Sequence, residues 1–297
     1  MVEADTETRA AEPFLGVRRS ALEQAWELRP FVPRIAEAIA DRLAVSAIVG
    51  QLIAARGIGL EEAAAFYEPS LKESMPDPST ILDMDKAVNR VAHALQHNEK
   101  IAIFGDYDVD GATSSAVLYR MLTALGASVE IYIPDRMAEG YGPNAPALLG
   151  LRDKGVDLVI TVDCGTLSFE PLQAAKEVGL DVIVVDHHKA ETRLPEAVAV
   201  VNPNRLDDDS GLGQLAAVGV CFMLCVALNR ALREAGYFND KREPSLISLL
   251  DVVALGTVCD VVPLTGVNRA FVAQGLKVMA QRHNVGITAL CDVGRVS

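Results

Sequence analysis

Short apolar segments recur through the middle of the chain, and a stretch with helical spacing follows each of them. The segments IAIF, DLVITVD and DVIVVD are almost wholly apolar. Such segments are typical of parallel strands, which are buried on both faces. The alternation therefore predicts an α/β fold, in which helices flank a parallel β-sheet and an N-terminal helical region precedes it.

The remainder of the chain divides into three predicted parts. Residues 1–12 are polar and acidic, and we expect them to be disordered. Ala-rich stretches from about Ser20 to Tyr67 carry apolar residues three and four apart, which indicates helices. The Pro-rich connector MPDPSTILDM favours a boundary nearby. We therefore assign 13–80 to a helical region and 81–297 to the α/β domain.

Charge and cysteine usage restrict the classes of protein that the chain can belong to. The net charge of −13 is not the usual signature of a nucleic-acid binder, although a carboxylate site for divalent cations would add to it. Five cysteines without paired spacing argue against a disulfide framework and suit a reducing cytoplasm. The longest apolar run, 215–228, is too short to cross a bilayer, and the N-terminus lacks the pattern of a signal peptide. We expect a cytoplasmic protein without a membrane partner.

Acidic and imidazole side chains follow three of the predicted strands. Ligands of open parallel sheets bind at the carboxyl ends of the strands, so these side chains are expected to converge. A single aspartate at a strand end is usually a helix N-cap. Three within five residues repel one another unless a cation lies among them, which favours a metal site. The residues are Asp106, Asp108 and Asp110 in GDYDVDG, Asp163 in VDCG, and Asp186, His187 and His188 in VDHH.

The donor types narrow the choice of metal and of chemistry. An EF-hand loop is excluded, because its twelfth residue would be Val117 instead of a glutamate and because a strand precedes the loop. Carboxylates mixed with imidazoles indicate Mn²⁺, with Mg²⁺ as an alternative. More carboxylates than one ion needs predict two ions per site. Two ions favour hydrolysis of a phosphate ester or anhydride.

Four acidic motifs, taken together, resemble those of the DHH phosphoesterase superfamily. GDYDVDG resembles the first motif, VDCG the second, VDHH the third, and LGTVCDVVPL, which carries Asp260, the fourth. RGIGLEEAAAFYEPSL and IPDRMAEGYG resemble the RecJ family of bacterial single-strand-specific exonucleases. This resemblance extends from about Pro13 to the end of the chain.

The resemblance implies a function. It predicts a metal-dependent exonuclease that hydrolyses phosphodiester bonds of single-stranded DNA, 5′ to 3′, by a two-metal mechanism in DNA repair and recombination. It implies single-stranded DNA as partner and, through a full-length protein, a single-strand-binding protein and a helicase. The family's C-terminal substrate-binding and OB-type domains are not recognised here, so we expect a truncated catalytic part without processive DNA binding.

The same resemblance implies a role for each site residue. Phe104 departs from the family pattern, since many relatives carry a histidine there, and Asp106 is expected to compensate. Asn202 and Asn204, in VNPN, fit either a substrate contact or a turn. The resemblance places one metal on Asp106 and Asp108, a bridging ligand at Asp163, a second metal on Asp110, His187 and Asp260, an orienting carboxylate at Asp186, and substrate contacts at His188, Arg136, Tyr141 and Gly142.

Other functions remain open from the residues alone. The same chemistry would serve a phosphoesterase that acts on short oligonucleotides, cyclic dinucleotides or pyrophosphate. A haloacid-dehalogenase-type phosphatase also places Asp-x-Asp after a strand, but it would leave His187 and His188 unexplained. A binding module or truncated domain with little activity is the third possibility.

Overall fold

The chain forms two compact units, one that ends at Glu68 and one that begins at Pro69. The computed structural model describes residues 13–296, so the segment 1–12, predicted to be disordered, lies outside the described residues. Leu71 and Met75 pack against the larger core, which joins this part of the predicted helical region to the second unit. The functional division at residues 80 and 81 stays a prediction.

The smaller unit is helical, as predicted, but its first α-helix begins later than the sequence pattern indicates. Residues 20–32 contain no helix, and α1 starts at Pro33, which occupies the first helical turn. Proline lacks an N–H and is tolerated only at the start of a helix, so Pro30 and Pro33 prevent an earlier helix from continuing. The helices of this unit are α1 (Pro33–Leu43), α2 (Ala47–Ala54) and α3 (Ala63–Tyr67).

The larger unit is built on a five-stranded, all-parallel sheet in the order β2-β1-β3-β4-β5. This confirms the predicted fold class. No helix among residues 13–296 is long and apolar enough to cross a membrane. The strands are β1 (Lys100–Gly105), β2 (Ser128–Tyr132), β3 (Leu158–Val162), β4 (Asp181–Val185) and β5 (Ala199–Val201), and the helices are α4 (Leu71–Ser74), α5 (Met84–His97), α6 (Val109–Ala124), α7 (Ala145–Asp153), α8 (Phe169–Glu177), α9 (Ala217–Glu234), α10 (Leu250–Cys259), α11 (Gly266–Met279) and α12 (Val285–Val293).

Helices cover both faces of the sheet. Side chains alternate between the faces along each strand, so each strand contributes to the core on either side. Ile101 and Ile103 of β1 belong to a large core with residues of α5, α6 and α9. Ala102 and Phe104 belong to a second core with residues of α7 and α8. Burial on both sides explains why these strands read as continuous apolar runs.

The strand order reverses between β1 and β3. After β1, the chain places β2 on one side, whereas β3, β4 and β5 follow on the other. Loops that leave the carboxyl ends of two such strands diverge and open a crevice. The fold therefore positions the loops after β1 and β3 around a potential binding site.

Candidate metal centre

Four polar residues stand side by side at the carboxyl edge of the sheet. Gly105, Val162, Val185 and Val201 are in register, and the next residue of each strand continues the row. The residues that follow Gly105, Val162 and Val185 each donate a backbone N–H to the neighbouring strand, at 3.0–3.2 Å. The row consists of Asp106, Asp163, Asp186 and Asn202, and each of them is buried.

The GDYDVDG loop turns β1 directly into α6. Asp108 is the N-cap of α6, and its Oδ1 accepts a hydrogen bond from the Gly111 N–H at 2.9 Å. A Cβ at Gly111 would lie 2.4 Å from the Asp106 carbonyl oxygen, so only glycine allows this turn to close. The loop thus keeps Asp106 buried and leaves Asp108 exposed.

Asp110 joins the first turn of α6 to the start of α9. Its two carboxylate oxygens accept hydrogen bonds from Ala217 N–H at 2.6 Å and Val218 N–H at 2.9 Å. Burial raises the pKa of Asp110 to about 6, although these hydrogen bonds oppose the rise. The positive end of the α9 dipole stabilises the carboxylate form.

Asp163 lies at the centre of the row in a strained conformation. Its φ of 61° is in the left-handed region, which costs a non-glycine residue about 1 kcal/mol or more. The Tyr141 hydroxyl donates to the Asp163 carbonyl at 3.0 Å and ties down this turn. Burial raises the pKa of Asp163 to about 8, and the neighbouring Asp110 and Asp108 add to the rise.

Asp186 receives more hydrogen bonds than any of its neighbours in the row. Its Oδ1 accepts from His187 N–H, His188 N–H and His188 Nδ1, and its Oδ2 accepts from Thr166 N–H. Burial alone would raise the pKa of Asp186, but these donors lower it to about 2. Three of these donors belong to the two histidines, and Asp186 is in none of the candidate ligand groups found among the described residues.

His187 is oriented by a backbone carbonyl. Its Nδ1 lies 3.1 Å from the Leu215 carbonyl oxygen, which requires the proton on Nδ1 and leaves the Nε2 lone pair free. Nε2 lies 3.2 Å from Asp163 Oδ1 and 3.8 Å from Asp110 Oδ2. Burial lowers the pKa of His187, but the surrounding carboxylates raise it to about 9, so a cation would compete with a second proton.

His188 is the more accessible of the two histidines. Its Nδ1 donates to Asp186 Oδ1 at 2.7 Å, and this hydrogen bond raises the pKa of the imidazole. Its side chain is 48% exposed, whereas that of His187 is 14% exposed. The Tyr141 and His188 rings meet edge to face, with centroids 6.0 Å apart. A protonated His188 can therefore donate from Nε2 toward a bound anion.

The donor atoms fit divalent cations. Buried oxygens of Asp106, Asp163 and Asp260 have no hydrogen-bond donor among the described residues, which is costly unless a cation binds them. Carboxylates with a neutral imidazole are a donor set suited to Mn²⁺. Donor atoms in each of three groups lie within 4.8 Å of one another: Asp106, Asp108 and Asp163; Asp110, His187 and Asp260; and Asp163, His187 and His188.

The structure also places the residues predicted to contact substrate. Tyr141 and Gly142 lie beside the Asp163 turn, and Gly142 adopts a φ of 76° that favours glycine. The Arg136 guanidinium stacks over the Tyr107 ring at 5.1 Å, and Arg136 is exposed. Tyr107, inside the first motif, was not singled out from the sequence, although its place between two aspartates was the available signal.

Phe104 and Asn202, both discussed from the sequence, are buried in the structure. Phe104 is fully buried and stacks on Tyr132 at 5.1 Å, on the face of the sheet covered by α7 and α8. Asn202 is also fully buried, so a direct substrate contact is wrong for it. Its Nδ2 donates to the His188 carbonyl at 2.8 Å and to Thr166 Oγ1 at 2.9 Å.

Comparisons with known proteins agree with this architecture. The sequence model of the family described as "DHH family, N-terminal domain" matches residues 100–257. The single-stranded-DNA-specific exonuclease RecJ of Bacillus subtilis is 36% identical over 91% of this chain and 33% of its own length. That of Haemophilus influenzae is 43% identical over 74% of this chain and 39% of its own length.

Solved structures of the Thermus thermophilus RecJ are similar as well. Its Mn²⁺ complex matches with a TM-score of 0.70 and 28% identity, over 90% of this chain and 36% of that one. Its Mg²⁺ complex matches with a TM-score of 0.58 and 26% identity, over 90% and 33% of the respective chains. The chain thus spans between a third and two fifths of the length of these relatives. The family match covers more than half of the chain and includes the first three acidic motifs, so the protein belongs to the DHH family.

Proposed function

We propose that the chain carries the active site of a metal-dependent exonuclease that hydrolyses phosphodiester bonds of single-stranded DNA, 5′ to 3′. The observation that carries the proposal is the pair of adjoining donor groups, one around Asp106 and Asp108 and the other around Asp110 and Asp260, with Asp163 and His187 between them. The similarity to RecJ proteins, whose names describe single-stranded-DNA-specific exonucleases, supports the substrate, whereas the direction of digestion rests on the family resemblance of the motifs. A role in DNA repair and recombination in the bacterial cytoplasm, with a single-strand-binding protein and a helicase as partners of a full-length protein, rests on that similarity alone.

Two Mn²⁺ or Mg²⁺ ions would be held by the chain's own carboxylates and imidazole. Asp106 and Asp108 would hold one ion, and Asp110, His187 and Asp260 the other. Asp163, which lies in one donor group with Asp106 and beside His187 Nε2, would bridge them. Bound ions of this kind make a coordinated water more acidic and stabilise charge at phosphorus.

The remaining residues would handle the phosphate and the nucleotide. His188, held by Asp186, would donate a hydrogen bond to the scissile phosphate. Arg136 would contact a second phosphate, since its guanidinium is exposed and stacks on Tyr107 without a carboxylate partner among the described residues. Tyr141 and Gly142 would line the space beside His188, where the exposed Tyr141 ring offers a stacking surface.

The test is a cleavage assay with three substrates. The chain would be incubated with 5′-labelled single-stranded DNA, with duplex DNA and with a dinucleotide, in Mn²⁺ and then in EDTA. Release of mononucleotides from the single strand alone, abolished by EDTA and by Asp163→Ala, is expected. Cleavage of the dinucleotide alone would identify a phosphoesterase of short oligonucleotides. Mn²⁺ binding without turnover would identify a domain with little activity of its own.

A further inference from the structure

Six consecutive residues, Gly213–Val218, contact two residues of the candidate metal centre. The Leu215 carbonyl accepts from His187 Nδ1, and the first two N–H groups of α9 donate to Asp110. Leu215 itself is fully buried. The spacing between His187 and Asp110 therefore depends on where this segment lies.

Two asparagine side chains hold the segment at its amino-terminal end. Asn204 Nδ2 donates to the Gly213 carbonyl at 3.0 Å and to the His187 carbonyl at 2.5 Å. A Cβ at Gly213 would come within 2.5 Å of Asn204 Oδ1, so the segment passes close to this side chain. Asn204 thus joins the segment directly to the backbone of a candidate ligand.

Asn268, in α11, holds the next residue of the segment. It is fully buried, and its Nδ2 donates to the Gln214 carbonyl at 2.6 Å and to the Pro263 carbonyl at 3.1 Å. Pro263 belongs to the loop that follows Asp260. One amide group therefore joins the segment to the loop that carries the fourth acidic motif.

We propose that Asn204 and Asn268 are positioning residues that act through Gly213–Val218 to set the spacing of Asp110, His187 and Asp260. The inference rests on the proposed metal centre. Neither side chain is proposed to touch an ion or the substrate. Removing either amide leaves backbone carbonyls without a donor, so the segment shifts toward other partners and carries the Leu215 carbonyl away from His187. Outer groups that orient metal ligands usually contribute about 10- to 100-fold to metal affinity.

The chain contains a matched control in Asn229. It is almost fully buried in α9, and its Nδ2 also bridges two acceptors, Glu243 Oε1 at 3.1 Å and the Pro244 carbonyl at 3.3 Å. These contacts join α9 to the loop before α10 and involve none of the candidate ligands. Asn229→Ala therefore removes a comparable buried amide without affecting the segment Gly213–Val218.

The experiment measures Mn²⁺ affinity by isothermal titration for the intact chain and for Asn204→Ala, Asn268→Ala and Asn229→Ala. Thermal unfolding in EDTA reports the structural cost of each change. We expect Mn²⁺ to bind about 10- to 100-fold more weakly to Asn204→Ala and Asn268→Ala than to the intact chain. Asn229→Ala should lose a similar amount of melting temperature and keep its Mn²⁺ affinity. Since Asn204 is half-buried, its variant tests the proposal even if Asn268→Ala fails to fold.

Kinetics separate positioning from direct participation. Both positioning variants should lose kcat on single-stranded DNA at low Mn²⁺, regain most of it at saturating Mn²⁺, and keep the KM for DNA. Unchanged Mn²⁺ affinity in Asn204→Ala would overturn the proposal, as would an equal loss in Asn229→Ala. Mn²⁺ binding without DNA cleavage by the wild type would refute the proposed function alone, whereas a wild type that binds no Mn²⁺ would refute both.

Discussion

Both edges of the central sheet carry acidic residues, but the partners of these residues differ between the edges. At the amino edge, Glu99, Asp157 and Asp181 begin or precede β1, β3 and β4. Arg90 forms 2.6 Å ion pairs with Glu99 and Asp181, and Arg152 lies 3.1 Å from Asp157. Each acid at this edge is neutralised by a permanent cation.

At the carboxyl edge the same three strands lead into Asp106, Asp163 and Asp186, and among residues 13–296 the ion-pair partners of Asp163 and Asp186 are histidines. The pKa of Asp163 rises and that of Asp186 falls, because Asp186 collects nearby donors and Asp163 does not. An acid without a permanent cation is costly to bury, so its retention indicates a cation from solution.

The largest effect is expected from Asp163→Asn. Loss of the carboxylate between the two donor groups should lower kcat/KM on single-stranded DNA about 1000-fold or more, equivalent to about 4 kcal/mol of transition-state stabilisation. In EDTA the variant should melt no lower than the wild type, because the neutral amide avoids the cost of burying a carboxyl group whose charged form is disfavoured. A variant that kept activity would contradict the assignment of Asp163 as a bridging ligand.

Mn²⁺ should stabilise the folded protein by binding at the carboxyl edge of the sheet and not at the amino edge. Mn²⁺ at about 100 times its Kd should raise the wild-type melting temperature by about 5–10 °C, and EDTA should reverse the change. Differential scanning calorimetry would measure both. Asp163→Asn should lose this response, whereas Asp181→Asn at the amino edge should keep it. A response that survives Asp163→Asn would locate the stabilising site elsewhere.

The metal-free protein should lose stability as the pH rises from about 4 to 9. Asp163 has a folded pKa of about 8 against 3.8 in the unfolded chain, so the native state binds the extra proton within that window. His187, raised from 6.5 to about 9, contributes stability that is present below pH 6.5 and lost through pH 9. Asp186 acts oppositely, since its stabilisation is present above pH 3.8 and lost toward pH 2.

Thermal unfolding in EDTA across this range would measure the slope. Saturating Mn²⁺ should flatten it between pH 6.5 and 9, because the ion replaces the protons at Asp163 and His187. An equal slope in Asp163→Asn would show that other groups produce the pH dependence.

Arg90→Met should remove the ion pairs at the amino edge without changing metal binding or DNA cleavage. It leaves Glu99, which is 18% exposed, and the half-exposed Asp181 without their cation. We expect a loss of about 1–3 kcal/mol in unfolding free energy, from urea denaturation, with activity and Mn²⁺ affinity within about twofold of the wild type. A fall in Mn²⁺ affinity would show that the two edges are coupled.

The smallest effect is expected from Tyr141→Phe. The change removes the hydrogen bond from the Tyr141 hydroxyl to the Asp163 carbonyl and a longer contact of 3.5 Å with His188 Nδ1, and it keeps the ring beside His188. About 1 kcal/mol corresponds to about a fivefold loss of kcat. Tyr141→Ala removes the ring as well, and a matching loss in both variants would limit the role of Tyr141 to its hydroxyl.

Local patterns in the sequence were enough to predict the parallel sheet and the convergence of its acids. Burial on both faces requires apolar strands, and parallel strands place all their carboxyl ends at one edge. The helical spacing from about Ser20 does not indicate where α1 begins, because Pro30 and Pro33 interrupt it. Asp186 was assigned an orienting role by family resemblance, and its four donors are consistent with that role.

The sequence by itself determined the fold class, the strand-end acids and the absence of an EF-hand, since these depend on neighbouring residues and on periodicity. Only the tertiary structure decided that Asp186 is satisfied while Asp163 is not, because donors such as Thr166 are distant in sequence. It also decided that Asn202 is buried behind the histidines, and that Asn268 joins two loops, at Gln214 and Pro263, that lie 49 residues apart in the sequence.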